Sequence, residues 1–259
     1  MVKTNYKLRG AEKIYILPIG DIHVGSEQFN EEYFQYMLDT IDSIKQAKRI
    51  YLMGDLVEAA SKQVGNASFK TDMTLDDQID YVINSFKPYR KDIVSTVQGN
   101  HCARLSKDFD LNVMRIIARA LKIPDGNQFL DTFYINQEPY TIYTRHGKGS
   151  AAHAHTAQGK MIREHQHIDA DIFMNGHSHR LDYFTTPIVS HGLLKRKHYV
   201  MTGSFLKYNG YADSMGLPVL PESFIQLSIN KERRVRNTNF YIDQVRPDLM
   251  EGLMQCGTH

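Results

Sequence analysis

Five times along this chain an apolar, β-prone run stops and an Asp, Asn or His follows at once, in four of the five cases after a Gly. The five segments are Gly20-Asp21-Ile22-His23, Gly54-Asp55, Gly99-Asn100-His101, Arg145-His146-Gly147 and Gly176-His177-Ser178-His179. Glycine punctuates a strand because it has no side chain to pack against neighbours. The polar residue after it therefore stands where a strand gives way to a loop. A chain with this punctuation delivers several metal-binding side chains to the carboxyl ends of its strands, which is where open α/β sheets carry their function.

The runs between these segments set the fold. Residues 13–19, 49–53 and 93–97 read as strands. Between them, residues 31–47 read as a helix: Phe34, Met37, Leu38, Ile41 and Ile44 recur at helical spacing, and Asn30 can serve as N-cap. A polar stretch from Ser61 to Thr74 reads as a long loop, and residues 75–86 as a second helix that Pro88 prevents from continuing. This alternation implies βαβ units and a largely parallel sheet. Leu111, Met114, Ile117 and Leu121 mark another amphipathic helix. Thereafter strand-like runs at 132–136, 140–145, 171–175, 182–186, 198–202, 224–229 and 238–242 follow one another, with one helix near 153–164. The expectation is an α/β protein built as an αββα sandwich: two mixed sheets face to face with outer helices. With no repeat and no linker, residues 1–259 are expected to form a single domain.

Composition narrows the function. At 42% hydrophobic and 23% charged, the 259 residues suit an ordinary globular protein with a sizeable core. Two cysteines, Cys102 and Cys256, cannot make a disulfide framework and suggest a reducing interior. The N-terminus lacks a signal-peptide pattern, and no run approaches the ~18 apolar residues of a membrane span, so a cytoplasmic protein without membrane partners is expected. A net charge of +2 gives no global argument for nucleic acid. The basic clusters Lys195-Arg196-Lys197 and Lys231, Arg233, Arg234, Arg236 are short and lack interleaved aromatics, so they read as solvated turns or strand edges.

Taken singly, each segment has a bland account. An Asp after a strand is ordinarily an Asx-turn or an N-cap residue, and an Asn after Gly an ordinary turn residue. A lone His146 could be a surface histidine, and His177 with His179 one face of a strand. All five in order at strand ends is a poor coincidence. Together they form a cage of oxygen and nitrogen ligands for two metal ions, without cysteine, and that combination points to phosphate-ester hydrolysis.

The ordered pattern D-x-H, G-D, G-N-H, H-G, G-H-x-H resembles that of the calcineurin-like metallophosphoesterases over roughly residues 14–205. Tyr199-Val200-Met201-Thr202-Gly203-Ser204 is similar to the family's closing glycine-serine turn. The resemblance implies that Asp21, His23 and His179 hold one ion, that Asn100, His146 and His177 hold the other, and that Asp55 bridges them. It implies two divalent or trivalent ions, manganese first, with iron, zinc or nickel as alternatives. It further implies attack by a metal-activated hydroxide on a phosphomonoester or phosphodiester, a nucleotide or nucleic acid among the possible substrates. His101 is the expected catalytic residue that is not a ligand, donating a proton to the leaving group or stabilising the phosphoryl charge. Arg104 is the expected substrate-binding residue; Arg145, Lys148 and Arg180 flank the motifs and are weaker candidates. Where many relatives have an acidic residue after Gly-Asn-His, this chain has Cys102, expected to be a small buried filler, so either another carboxylate, Glu58 or Asp108, supports His101 or the histidine is less firmly poised. The alternatives are a metal-dependent nuclease and a non-catalytic scaffold of the same fold. His153, His155, His165, His167, His191 and His198 match no ligand position and are expected in solvated or core-edge roles. The oligomeric state is not readable from the sequence.

Overall fold

Along the strand Lys13–Ile19, Ile14 and Ile16 enter one core while Leu17 and Ile19 enter another. A strand apolar on both faces has to be covered on both sides, and that requirement organises the molecule. The computed structural model describes residues 1–8, 10–59, 73–135, 137–149, 153–190, 192–207, 222–232 and 234–241. The first half contains β1 (Val2–Leu8), β2 (Lys13–Ile19), α1 (Glu31–Ser43), β3 (Lys48–Leu52), α2 (Leu75–Phe86), β4 (Ile93–Val97), α3 (Asn100–Phe109) and α4 (Val113–Leu121). The second half contains β5 (Asp125–Gly126), β6 (Gln128–Ile135), β7 (Glu138–Arg145), α5 (Ala154–His165), β8 (Ile172–Asn175), β9 (Leu181–Ser190), β10 (Leu193–Thr202), β11 (Ser223–Asn230) and β12 (Val235–Tyr241).

The strands form two mixed six-stranded sheets, ordered β12-β11-β2-β3-β4-β5 and β1-β6-β7-β8-β10-β9. In the first, β2 through β5 run parallel and β11 and β12 are antiparallel additions. In the second, β7, β8 and β10 run parallel. Ile14, Ile16, Tyr51 and Met53 of the first sheet pack on Phe129, Phe133, Ile142 and Met174 of the second. Helices α1, α2 and α4 cover the outer face of the first sheet through Phe34, Met37, Val82 and Ile117. Ala157 and Met161 of α5 cover Tyr143, Phe173 and Tyr199 on the second. The architecture is the αββα sandwich expected from the sequence.

The differences have local causes. The apolar spacing predicts α1 to residue 47, but the helix ends at Ser43, and Lys48 Nζ donates to the carbonyls of Ile41 and Ile44 at 2.8 and 3.1 Å. A cation from the next strand thus satisfies the open end of the helix. Strand β1 is unforeseen because it is polar and half exposed, an edge strand held by its parallel pairing to β6. Asn100 and His101, placed by the sequence in a loop, form the first turn of α3, with Gly99 as N-cap. Leu111 precedes α4 and is 36% exposed. Of the expected loop at 61–74, all but residues 73 and 74 lies outside the described residues. No helix among the described residues is long and apolar enough to cross a membrane.

Phe34 is fully buried on α1 and touches Phe29, Phe86 and Phe205. Phe34→Ala is expected to destabilise the fold by about 3–5 kcal/mol, read from the midpoint of urea unfolding; a shift under about 1 kcal/mol would show that this layer is not packed as described.

Candidate metal centre

Strands β2, β3, β4, β7 and β8 end at one rim, and Asp21, Asp55, Asn100, His146 and His177 follow them within three residues. The loops after β2 and β3 stay in parallel register: the amides of Asp21, His23 and Val24 donate to the carbonyls of Gly54, Asp55 and Leu56 at 3.0 Å each. Across the sandwich, the His177 amide donates to both oxygens of Asp21 at 2.8 and 3.1 Å. Asp21, His23, Asp55, His177 and His179 all have positive φ, between 47° and 68°. Left-handed backbone is uncommon outside glycine and costs roughly 1–2 kcal/mol per residue, so five in one rim mark a site whose geometry the surrounding fold enforces.

The side chains fall into two sets. Ligand atoms of Asp21, His23 and His179 lie within 4.8 Å of one another, and so do those of Asp55, His146 and His177. Asn100 Oδ1 joins the second set, 3.0 Å from His146 Nε2 and 2.6 Å from His177 Nδ1. Asp55 Oδ2 is 3.0 Å from His146 Nε2, while its Oδ1 accepts the His101 amide at 3.0 Å. Asp21 and Asp55 are buried, as are His23 and His146.

The hydrogen bonds fix which imidazole nitrogen faces inward. His146 Nδ1 is 2.7 Å from the Met53 carbonyl, which can only accept, so Nδ1 carries a proton and Nε2 is the nitrogen aimed at Asn100 and Asp55. His23 Nδ1 donates to Glu58 Oε2 at 2.8 Å, leaving its Nε2 facing His179 Nε2 at 3.3 Å. Imidazoles anchored by a carbonyl or carboxylate, with the second nitrogen aimed at other electron-rich atoms, are the arrangement of metal ligands and their outer partners. A cation of intermediate softness suits such nitrogen and carboxylate donors.

The electrostatics agree. Burial raises the Asp21 carboxyl to about 6, with the Asp55 charge adding to the rise against His146. Burial also disfavours charge on His146, yet the Asp55 hydrogen bond and the Asp21 and Asp55 charges hold it protonated, up to about 9. His177 is driven down to about 4 by burial and then by the His146 charge. His179 falls to about 3 through burial and His23. The centre thus holds its protons unevenly: Asp21 and His146 are raised, while His177 and His179 are pushed down.

Glu58 is the residue that the motifs alone did not single out, being one of two candidates to orient His101. Its carboxylate reaches both His23 and, at 3.2 Å, His101 Nδ1. The Glu58 carbonyl lies 3.0 Å from the same nitrogen. Burial opposes the charge on Glu58, but the hydrogen bonds from His101 and His23 outweigh it and hold the carboxyl down at about 2. His101 is raised in turn, against its burial, by Glu58 and Asp55. The side chain of Asp108 lies outside the described residues. Cys102 is fully buried in the helix-side core, its thiol pushed up by burial and the Asp55 and Glu58 charges. Arg104 is exposed on α3, one turn beyond Asn100 and His101. Arg145 turns to Glu164 at 3.6 Å. His165, expected at the surface or core edge, is buried instead, stacked on Phe173 and bonded to Asn175.

No family model and no curated protein matches the chain. Solved structures do. A phosphoesterase described as predicted, from Streptococcus pneumoniae TIGR4, shares 12% identity over 88% of this chain and 98% of its own, with a TM-score of 0.38. Vps29 from Entamoeba histolytica, complexed with zinc, shares 15% identity over 88% and 98%, with a TM-score of 0.43. A diadenosine tetraphosphatase described as putative shares 12% identity over 92% and 98%, with a TM-score of 0.42. All three are of the calcineurin-like metallophosphoesterase type. Likeness of this degree carries no argument about chemistry, which the side chains themselves must supply.

A β-carbon on Gly99 would collide with the Asp55 carboxylate, although its φ of −86° suits any residue. Gly99→Ala is therefore expected to abolish the rise in melting temperature that Mn²⁺ gives the unmodified protein. Gly159→Ala, where the added carbon meets nothing closer than 3.8 Å, should retain it. An unchanged Mn²⁺ response in Gly99→Ala would show that Asp55 is not held as described.

Proposed function

We propose that this chain is a calcineurin-like metallophosphoesterase that binds two ions, manganese foremost, and hydrolyses a phosphomonoester or phosphodiester. The observation that carries the reading is the set of imidazole nitrogens crowded against Asn100, Asp55 and one another across 2.6–3.3 Å. Such a confrontation is relieved only by protons or cations, and burial beside other imidazoles makes His177 and His179 poor proton carriers. When bound, the ions lower the pKa of water to supply a hydroxide and neutralise charge on the phosphoryl oxygens.

The chain's own residues do the rest. Asp21, His23 and His179 hold one ion; Asn100, His146 and His177 hold the second; Asp55 lies electrostatically on both sets. Glu58 fixes the ring of His23 and, from its other oxygen, that of His101. With Nδ1 donating to Glu58, His101 directs Nε2 away from it. In this reading the His101 ring keeps a proton that Glu58 and Asp55 favour, and delivers it to the leaving alkoxide. Arg104 takes a phosphate oxygen as a charged donor. A reducing, cytoplasmic setting fits a chain with two cysteines, one of them buried. The non-catalytic scaffold is the weaker reading because every ligand position, and His101 with its carboxylate partner, is present together.

Protein loaded with Mn²⁺ is expected to hydrolyse bis(p-nitrophenyl) phosphate or p-nitrophenyl phosphate. Asp55→Ala should abolish turnover and His101→Ala should lower kcat by about 10²–10⁴-fold while metal content holds. Glu58→Gln should lower kcat and also weaken metal retention by about 10-fold or more, since it supports a ligand as well as His101. Full activity in Asp55→Ala would falsify the assignment.

A further inference from the structure

His165 closes helix α5, and the fold buries it among rings: it stacks on Phe173 and meets Tyr143 edge-on, each at 5.1 Å between centroids. An apolar ring would fill that space at lower cost, because His165 Nδ1 is buried with no hydrogen-bond partner in the protein. What the imidazole supplies is its other nitrogen, for Nε2 lies 2.9 Å from Oδ1 of the buried Asn175. Burial, with the Asn175 bond against it and the Arg145 charge behind it, drives His165 down to about 4, so the ring is neutral and carries a single proton. That proton sits on Nε2, where Asn175 accepts it; on Nδ1 it would be a buried donor with nothing to receive it.

Asn175 stands at the junction of the two loops that carry His146 and His177. It ends β8, two residues before His177, and its register partner is Arg145, the residue before His146. The loop after β7 folds directly onto it: a β-carbon on Gly147 would stand 3.3 Å from Asn175 Nδ2 and 3.5 Å from the Gly176 carbonyl oxygen. In the other direction, a β-carbon on Gly176 would stand 3.3 Å from His146 Nδ1. The two loops thus lie backbone against backbone, and the Asn175 amide is the side chain set beside that contact. The His146 and His177 rings are 5.2 Å apart between centroids, both against Asn100 Oδ1. An amide free to turn would leave this spacing loose. His165 removes the freedom by holding Oδ1 from a helix that Ala157 and Met161 anchor in the core.

We infer that His165 acts through Asn175 as a positioning residue, fixing the spacing of the His146 and His177 loops and with it the place of the second ion. The inference rests on the phosphoesterase reading and deepens it, extending the support of the metal centre to helix α5. His165 takes no part in bond breaking; its loss acts on ion binding first. It serves the second set of ligands as Glu58 serves His23 in the first.

The test titrates metal-free protein with Mn²⁺ in a calorimeter, taking the binding event that Asn100→Ala removes as that of the second ion. His165→Phe keeps the ring packing and removes the donor. It should weaken the second event by about 10–100-fold and the first by less than about three-fold. His165→Gln, which keeps an amide donor, should recover most of the loss. Asn175→Ala should show the same selective loss, and adding His165→Phe to it should cost nothing more, since the histidine acts through the amide. Amide hydrogen exchange in EDTA supplies a readout that needs no metal. In His165→Phe the His177 amide, which donates to Asp21, should exchange at least ~10-fold faster, while the His23 amide, which donates to Asp55, should be unchanged. Equal weakening of both events, no weakening of the second, a further loss in the double variant, or unchanged exchange at His177 would overturn the inference. If unmodified protein takes up fewer than two ions per chain, the two-metal reading falls instead, and the exchange comparison alone decides whether His165 holds the rim.

Discussion

The rim of the sandwich is drawn together where the Asp21 carboxylate accepts the His177 amide with both oxygens, beside the His146 Nδ1 bond to the Met53 carbonyl. Asp21 follows β2 of the first sheet and His177 follows β8 of the second. A short charge-assisted bond between them sets the distance between the two halves of the metal centre. It also explains Gly176, where a β-carbon would stand 2.7 Å from Asp21 Oδ2 and force the sheets apart. Phe205 then binds its amide to the Asp21 carbonyl at 3.1 Å, so the backbone of Asp21 is tied as firmly as its carboxylate.

Such a rim is costly to build. Five ligand positions are left-handed, two carboxylates are buried near one another, and several imidazoles face atoms that repel their lone pairs. None of this is stabilising in itself. The apolar layers on either side of each sheet supply what holds it, at roughly 25 cal/mol per Å² of apolar surface buried. In the proposed reading cations complete the balance by turning mutual repulsion among donors into coordination, which would link occupancy to fold stability. The same logic extends outward to Glu58, whose carboxylate is shared between a ligand and His101.

Much of this was legible in the residues. The Gly-plus-polar punctuation located the strand ends because glycine at those points is demanded by close approach, as at Gly99 against Asp55. Periodicity located α2 to its ends, since Thr74 and Asp77 form a capping box and Pro88 follows closely. The start of α3 was hidden because Gly99 caps it without a side chain, and an Asn directly after a Gly reads as a turn residue. Strand β1 was hidden because its stability comes from pairing with β6, more than a hundred residues away, which no local pattern records. Glu58 carried only a weak signal, three residues past Asp55. The anchor of His146, the Met53 carbonyl, carried none, because a backbone oxygen has no letter in the sequence.

Anomalous diffraction from crystals grown with Mn²⁺, recorded at the manganese edge, probes the coordination itself. Two peaks are predicted, one among Asp21, His23 and His179, the other among Asn100, His146 and His177, with Asp55 between them. Density at neither cluster, or a lone peak elsewhere on the molecule, would contradict the account.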